Sequence, residues 1–220
     1  MVQSSKINWS DNFQRVNEDS SNWAQQAKRL MAAADTLRWT LFQSQNEPAL
    51  VQIMIDIPIS GTQYNGALVG AYLLLSGLAL ENLCKAVLVA AAPSEVTEMN
   101  KPSDPRKLSK TLRTHILKRL MDDAMKIAAK LARVDLPCRS PLNDDEKRLI
   151  ERLTAFAEWG RYIAPTNHLQ WEQAASNDVM RNHTDAERDV IDSLYKWLFK
   201  LHSAVQLECY DPSAGCSRPI

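Results

Sequence analysis

The sequence has no excess of either charge: 26 Lys and Arg residues balance 26 Asp and Glu residues over 220 residues. A neutral chain has no overall electrostatic attraction to nucleic acid or to anionic lipid. The first residues, MVQSSKINWSDNF, also lack the apolar segment that a signal peptide requires. We therefore expect a cytoplasmic protein in which a local cluster of basic residues, rather than the net charge, binds any anionic partner.

The sequence is also poor in the motifs that identify common enzyme and metal sites. It contains no GxGxxG, no P-loop and no GxSxG, which argues against a nucleotide-fold enzyme and a serine hydrolase. Three histidines, His168, His183 and His202, have acidic residues nearby, but no pair has the HxH or HExxH spacing of a metal site. We therefore predict no metal site and no cofactor.

Cysteine is present without a recognisable pairing motif. The four cysteines form no CxxC, and Cys84 lies within the most apolar stretch of the chain. Such a pattern in a cytoplasmic protein predicts reduced thiols, and the short spacing of Cys209 and Cys216 leaves a bridge between them open.

Glycine is scarce, with six residues against ten prolines. This balance is typical of long helices joined by loops that contain proline. Apolar residues recur at three- and four-residue steps in five segments. We predict one all-α domain over 1–220, a bundle of about five long helices with loosely ordered ends at 1–20 and 209–220. The predicted helices are Asn22–Gln45, Tyr64–Ala92, Thr111–Arg133, 143–160 and 184–207, with an extended connection at 53–59.

The segment Tyr64–Ala92 is apolar on every side, as expected of the central helix of a bundle. Its uncharged part, Ala67–Leu80, is 14 residues long, whereas a membrane span needs about 20. We therefore predict a core helix and no membrane association. Gly66, Gly70 and Gly77 lie on one flank, which predicts that another helix approaches closely there.

Three polar residues, Glu81, Asn82 and Lys85, interrupt this apolar segment. Glu81 and Lys85 are four residues apart in the order that favours an ion pair on a helix. A charged pair between apolar turns is partly removed from water, and such groups concentrate at functional sites as well as in structural ion pairs. The spacing leaves both interpretations open.

A second candidate pair is Arg161 and His168, in RYIAPTNH. Arginine offers a planar, permanently charged group for two phosphate oxygens, and histidine transfers protons near neutral pH. Such a pair is sufficient for RNA cleavage without metal, since a base removes the 2′-hydroxyl proton and arginine stabilises the phosphorane. Arginine and histidine at this separation also occur by chance.

His115 and the basic residues around it form a third candidate. Lys101–Arg119 contains seven basic residues and one acidic residue, and a local patch of this kind favours an anionic partner. His115 itself is interpreted first as a capping or packing residue. The candidate binding residues of this stretch are Arg106, Lys107, Lys110, Arg113 and His115.

Three of these segments, in order, resemble the HEPN superfamily of small helical bundles. LALENLCKAVL, at 78–88, is similar to the family's E-x-x-x-K-A-x-L core helix, and THIL, at 114–117, to its H-x-L. The arginine of Arg161–Tyr162 resembles the one that the family places after the next helix. Arg161 and His168 also fit a broad R-x(4–6)-H spacing, and the resemblance covers about 64–202.

The resemblance implies metal-independent RNA cleavage by a symmetric homodimer, in many members as part of toxin–antitoxin or phage-defence systems. It assigns phosphate binding to Arg161, proton transfer to His168 and the orientation of Arg161 to Glu81. Asn82, Lys85 and Tyr162 are then further binding residues, and RNA and an antitoxin or other protein are the partners. The alternative is a non-catalytic module of the same fold that binds a nucleotide or a partner protein.

Overall fold

The computed structural model describes residues 16–46, 61–92, 110–131, 139, 141–159 and 185–209. No strand occurs within these ranges, and their architecture is an all-helical bundle, as predicted. Five of the helices are long and one is a single turn. They are α1 Ser20–Asn46, α2 Gly61–Ala91, α3 Lys110–Arg113, α4 Leu117–Leu131, α5 Asp144–Trp159 and α6 Asp185–Cys209.

Helix α2 is the centre of the bundle, as its apolar sequence predicts. It packs against α1, α4, α5 and α6. A helix with neighbours on several sides needs apolar residues around its whole circumference, whereas α4 has a single apolar stripe. The buried residues of the core include Tyr72, Ala79, Leu83, Ala86 and Ala90, which follow one another at helical steps of three, four or seven residues.

Most of α2 also satisfies the length and composition of a membrane span. The segment Val69–Ala91 has 23 residues and a mean hydropathy of 1.7, but 67% of it is buried inside the protein. The core helix of a bundle meets the same test, so this segment is weak support for a membrane-spanning role.

Two glycines of α2 lie where α5 approaches it closely, which confirms the predicted contact on this flank. A Cβ atom added to Gly77 would lie 2.9 Å from the Leu153 carbonyl oxygen. A Cβ atom added to Gly70 would lie 3.4 Å from Phe156 Cε1, which is an ordinary contact distance. The absence of a side chain is therefore a packing requirement at Gly77 and not at Gly70.

Alanine substitutions at these two glycines are expected to have opposite effects on stability. Gly77→Ala pushes against the α5 backbone, and overpacking costs about 1–3 kcal/mol, so we expect a net loss of about 1 kcal/mol after the gain in helix propensity. Gly70→Ala retains a propensity gain of up to about 1 kcal/mol. Urea denaturation measures both changes, and a Gly77→Ala variant as stable as Gly70→Ala would contradict the close approach.

Helix α5 begins with a reciprocal cap at Asn143. Asn143 Oδ1 accepts a hydrogen bond from the Glu146 backbone N–H at 2.8 Å, and Glu146 Oε2 accepts one from the Asn143 N–H at 3.0 Å. This reciprocal capping box satisfies two backbone donors at the helix start. It fixes the position at which α5 begins.

The predicted third helix, Thr111–Arg133, is wrong as one continuous element. The structure has α3 up to Arg113, a break at 114–116, and α4 from Leu117. Within the break, Thr114 Oγ1 accepts a hydrogen bond from the Ile116 N–H at 3.3 Å. Threonine competes for backbone groups in this way and so favours a turn over a helix. The break also allows the His115 ring to reach α2.

Helices α1 and α6 are joined by a small polar cluster at the start of α1. His202 Nε2 lies 3.1 Å from Ser20 Oγ, and Gln206 Nε2 donates to Ser20 Oγ at 3.0 Å. His202 and Ser20 are both buried, and burial lowers the pKa of His202 below its usual range.

The predicted loose ends lie outside the described residues except for 16–20 and 209. The predicted connection at 53–59 lies outside them as well.

A buried ion pair joins α5 to α6, and the sequence analysis did not predict it. Arg152 Nη1 donates to both carboxylate oxygens of Glu187, at 2.9 Å each. Both side chains are more than nine-tenths buried. A signal for the pair was present, because Arg152 lies in step with the inward-facing Leu149 and Phe156.

Candidate functional site

The candidate site is built around Glu81, which α2 carries into the protein core. Only 4% of Glu81 is exposed, and its Oε1 accepts a hydrogen bond from Lys85 Nζ at 2.7 Å. Lys85 is buried to a similar degree. The predicted ion pair is therefore present, and both charges lie away from solvent, where their interaction is stronger than at a surface.

The break between α3 and α4 brings His115 to the same carboxylate. His115 Nδ1 lies 2.8 Å from Glu81 Oε1, although the two residues are 34 positions apart. An ionised carboxylate only accepts hydrogen bonds, so in the neutral ring Nδ1 carries the hydrogen and Nε2 holds the lone pair. The His115 side chain is 38% exposed. It therefore connects the buried carboxylate to the surface.

Lys85 is enclosed by groups from two helices. Its Nζ lies 5.5 Å from the centre of the Trp23 ring of α1, within range of a cation–π interaction. The Trp23 indole donates to the Asn17 carbonyl at 3.0 Å, which holds the ring in place. Since its ammonium is buried, Lys85 acts by holding Glu81 rather than by binding a ligand at the surface.

Cys84, next to Lys85 in sequence, is a buried free thiol. Burial raises the pKa of this thiol well above its ordinary value, and the Glu81 carboxylate raises it further. A protonated, buried thiol is a poor nucleophile and a poor metal ligand. The role of Cys84 is therefore in packing.

Exposed basic residues flank His115 along the chain. Arg113 ends α3, Lys118 and Arg119 lie in the first turn of α4, and all three are exposed. Lys118 Nζ lies 4.0 Å from Glu151 of α5. These residues form the described part of the predicted basic stretch, and Lys110 begins α3 beside them. His115 thus lies between exposed basic residues in the sequence.

The structure places the remaining predicted site residues as follows. The Asn82 side chain donates a hydrogen bond to the Leu78 carbonyl of its own helix at 2.7 Å. No hydrogen bond within the described residues joins it to the Glu81 carboxylate. Four of the other predicted residues lie outside the described ranges, and so does His168. Those four are Arg106, Lys107, Arg161 and Tyr162.

A search of the described ranges finds no group of three metal-ligating side chains. The chemistry that the described site offers is proton transfer and anion binding. Glu81 orients the His115 ring and compensates a positive charge on it, as the acidic residue of a catalytic triad does for its histidine. The exposed arginines and lysines nearby supply positive charge for an anionic ligand.

Comparisons of the chain with protein-family models, with curated proteins and with solved structures find no match. The HEPN resemblance therefore stays a prediction from the three sequence segments that suggested it.

Proposed function

We propose that this protein is an RNA-binding, HEPN-like helical bundle that cleaves RNA without a metal ion, with His115 as a proton-transfer group of the site. The observation that carries the proposal is the 2.8 Å contact between His115 Nδ1 and the buried Glu81 carboxylate. The sequence resemblance adds a homodimeric state and a toxin or defence role with an antitoxin or other protein partner.

The contact with Glu81 holds the His115 ring in one orientation. Glu81 is fixed by Lys85 and holds the His115 ring through Nδ1, so Nε2 has a defined direction. A fixed histidine near the surface can take the proton of a 2′-hydroxyl group, which is the first requirement of metal-free RNA cleavage. Proton transfer by a positioned side chain contributes typically about 10²–10⁴-fold to a rate.

The second requirement of metal-free RNA cleavage is positive charge near the phosphate. Cleavage at phosphorus develops negative charge that cationic side chains stabilise. Arg113, Lys118 and Arg119 are exposed on the elements that flank His115, and they can hold the RNA backbone. The resemblance assigns phosphate binding to Arg161 and proton transfer to His168, and both assignments stay part of the proposal.

One observation favours the alternative, a non-catalytic module that binds a nucleotide or a partner protein. Lys85 and His115 share the same oxygen of Glu81, and the Glu81–Lys85 pair is buried within a single helix. Such a pair has a purely structural explanation, in which His115 closes the cluster against solvent. The two functions differ in whether the protein cleaves RNA at all, and in the first the His115 ring is needed for cleavage.

RNA cleavage in EDTA separates the two functions. We expect His115→Ala to slow single-turnover cleavage by roughly a hundredfold or more, because it removes a positioned proton-transfer group. We expect Arg161→Ala and His168→Ala to lower the same rate. The matched control is Ile116→Ala, which changes an exposed residue of the same break and should leave the rate within about twofold.

Two results would contradict the catalytic proposal. One is cleavage by His115→Ala at the wild-type rate. The other is a wild-type protein that binds but does not cut any of a broad panel of RNAs, which would favour the binding module. In that case, the dependence of affinity on salt tests the basic surface, since an interface that neutralises several phosphates weakens steeply as salt rises.

A further inference from the structure

Hydrogen bonds join the start of α1 to the residues that precede it. The Asn22 side chain donates a hydrogen bond to the Val16 carbonyl at 3.0 Å. The Trp23 indole donates one to the Asn17 carbonyl, also at 3.0 Å. The first turn of the helix and the segment before it are therefore one connected unit, and we call residues 16–23 the strap.

The strap contacts two elements of the Glu81 site through the Trp23 ring. The ring lies 5.5 Å from Lys85 Nζ, the ammonium that holds Glu81. It also packs against a small apolar cluster formed by Val89 of α2 and Leu112 of α3. Since Leu112 lies three residues before His115, the same ring supports the lysine and the element that leads to the histidine.

Three polar side chains connect the strap to α6. Ser20 Oγ lies 3.1 Å from His202 Nε2 and accepts a hydrogen bond from Gln206 Nε2 at 3.0 Å. Gln206 Nε2 also donates to Ser21 Oγ at 3.2 Å. Ser20 and His202 are both buried, so their contact is shielded from water. We call Ser20, His202 and Gln206 the latch.

The surroundings of the latch favour a neutral His202 ring. Burial lowers the pKa of His202, Asp19 of the strap raises it, and Lys28 of α1 lowers it further. The two facing charges therefore oppose each other, and burial decides the direction. On the α2 side, the Lys85 ammonium faces the strap at Trp23. A ring released into water has the ordinary histidine pKa of about 6.5.

We propose that the strap positions Lys85 and α3 for the Glu81–His115 contact, and that protonation of His202 releases the strap. Above a pH of about 6.5 the ring is neutral in both states and the latch stays closed. Below it, the released ring binds the proton more strongly than the buried ring, so acid favours release. Release takes the Trp23 ring away from α2 and α3. Only the control of RNA cleavage rests on the proposed function.

The indole N–H signals of ¹⁵N-labelled protein report on the strap without RNA. We expect the Trp23 signal to shift between pH values of about 7.5 and 5.5, with the midpoint of the His202 ring. His202→Gln should abolish this shift, because glutamine offers a neutral nitrogen in place of Nε2 and does not titrate. The matched control signal is Trp39, which is 63% exposed on the same helix and should show no such transition.

Three variants distinguish the latch from the other histidine of the site. His115→Ala should keep the pH-dependent shift of Trp23, since His115 is not part of the latch. Ser20→Ala should raise the midpoint of His202, because it loosens the contact that keeps the ring buried. Ser21→Ala is its matched control, since Ser21 is exposed and contacts only Gln206 of the latch, and it should leave the midpoint unchanged.

Two results would overturn the strap. One is a Trp23 signal that stays constant over this pH range or shifts equally in His202→Gln. The other is a joint shift of all tryptophan signals with loss of helical circular dichroism, which would show global unfolding in place of local release.

RNA cleavage by wild type and His202→Gln tests the regulation. The two rates should agree at a pH of about 8, and the variant should be severalfold faster at a pH of about 6, where the wild-type strap is released. Both proteins keep His115, so its own titration cancels in the ratio. Equal rates at the lower pH would refute the regulation. A protein that cleaves no RNA would refute the proposed function, while the indole signals still decide whether the strap exists.

Discussion

Replacement of Arg152 by Met is expected to lower the free energy of unfolding by about 3–5 kcal/mol, the range for breaking a buried ion pair. Methionine fills much of the same space, so the loss comes mainly from the Glu187 carboxylate, which stays buried between α5 and α6 after its contact with Arg152 is lost. Both of its oxygens accept hydrogen bonds from Arg152 in the native protein. Urea denaturation at neutral pH measures the change.

The double variant Arg152→Met/Glu187→Leu separates the stability contributed by the whole ion pair from the cost of burying one charge alone. With both charges gone, most of the lost stability should return, because apolar residues of similar size often replace buried ion pairs at little cost. Arg148→Met is the matched control on the same helix. Its side chain is 72% exposed, so its effect should stay within about 0.5 kcal/mol. An Arg152→Met variant as stable as Arg148→Met would contradict a stabilising role of the buried ion pair.

Substitution of Glu81 by Gln is expected to cost on the order of 3 kcal/mol, since it leaves the Lys85 ammonium buried without an opposite charge. The two side chains have nearly the same shape, so the change tests charge rather than packing. In the native protein the Lys85 ammonium has a carboxylate at 2.7 Å and an aromatic ring at 5.5 Å. The cation–π contact is present in both proteins, so it does not replace the lost carboxylate.

Combination of Glu81→Gln with Lys85→Met shows whether Glu81 is needed for stability, for RNA cleavage or for both. Glu81→Gln/Lys85→Met should be more stable than Glu81→Gln, because the uncompensated ammonium is gone. His115→Ala should lower the free energy of unfolding by less than Glu81→Gln does, since the His115 ring is partly exposed. If RNA cleavage stays low in the double variant while stability returns, Glu81 orients His115. If cleavage recovers together with stability, Glu81 is only a partner for Lys85.

The long helices could be predicted because the pattern that defines them is local. The residues of α6 that repeat at three- and four-residue steps, such as Ile191, Leu194 and Leu198, are fully buried in the structure. The glycines of α2 even indicated the side on which a neighbour approaches. The Glu81–Lys85 pair was predictable for the same reason, because a spacing of four residues places two side chains on one face of a helix.

The rest of the site depends on contacts between distant segments, which spacing does not encode. His115 was interpreted first as a packing residue, because its local sequence gives no sign of Glu81, 34 positions away. The break that frees it contains neither proline nor glycine and so looked like the interior of a helix. Arg152 carried a readable signal, a charge in an apolar stripe, but its partner lies 35 positions away on another helix.

The cluster at Ser20 has a consequence for the order in which the protein assembles. Helices α1 and α2 are consecutive long helices and pack extensively, so they can pair as soon as both have left the ribosome. The Ser20–His202 contact spans 182 positions. It can form only after α6 has been synthesised, and its formation carries the entropic cost of closing a long loop. Until then the start of α1 exposes a hydroxyl group that the finished protein buries, which makes the docking of α6 the step that completes the first helix.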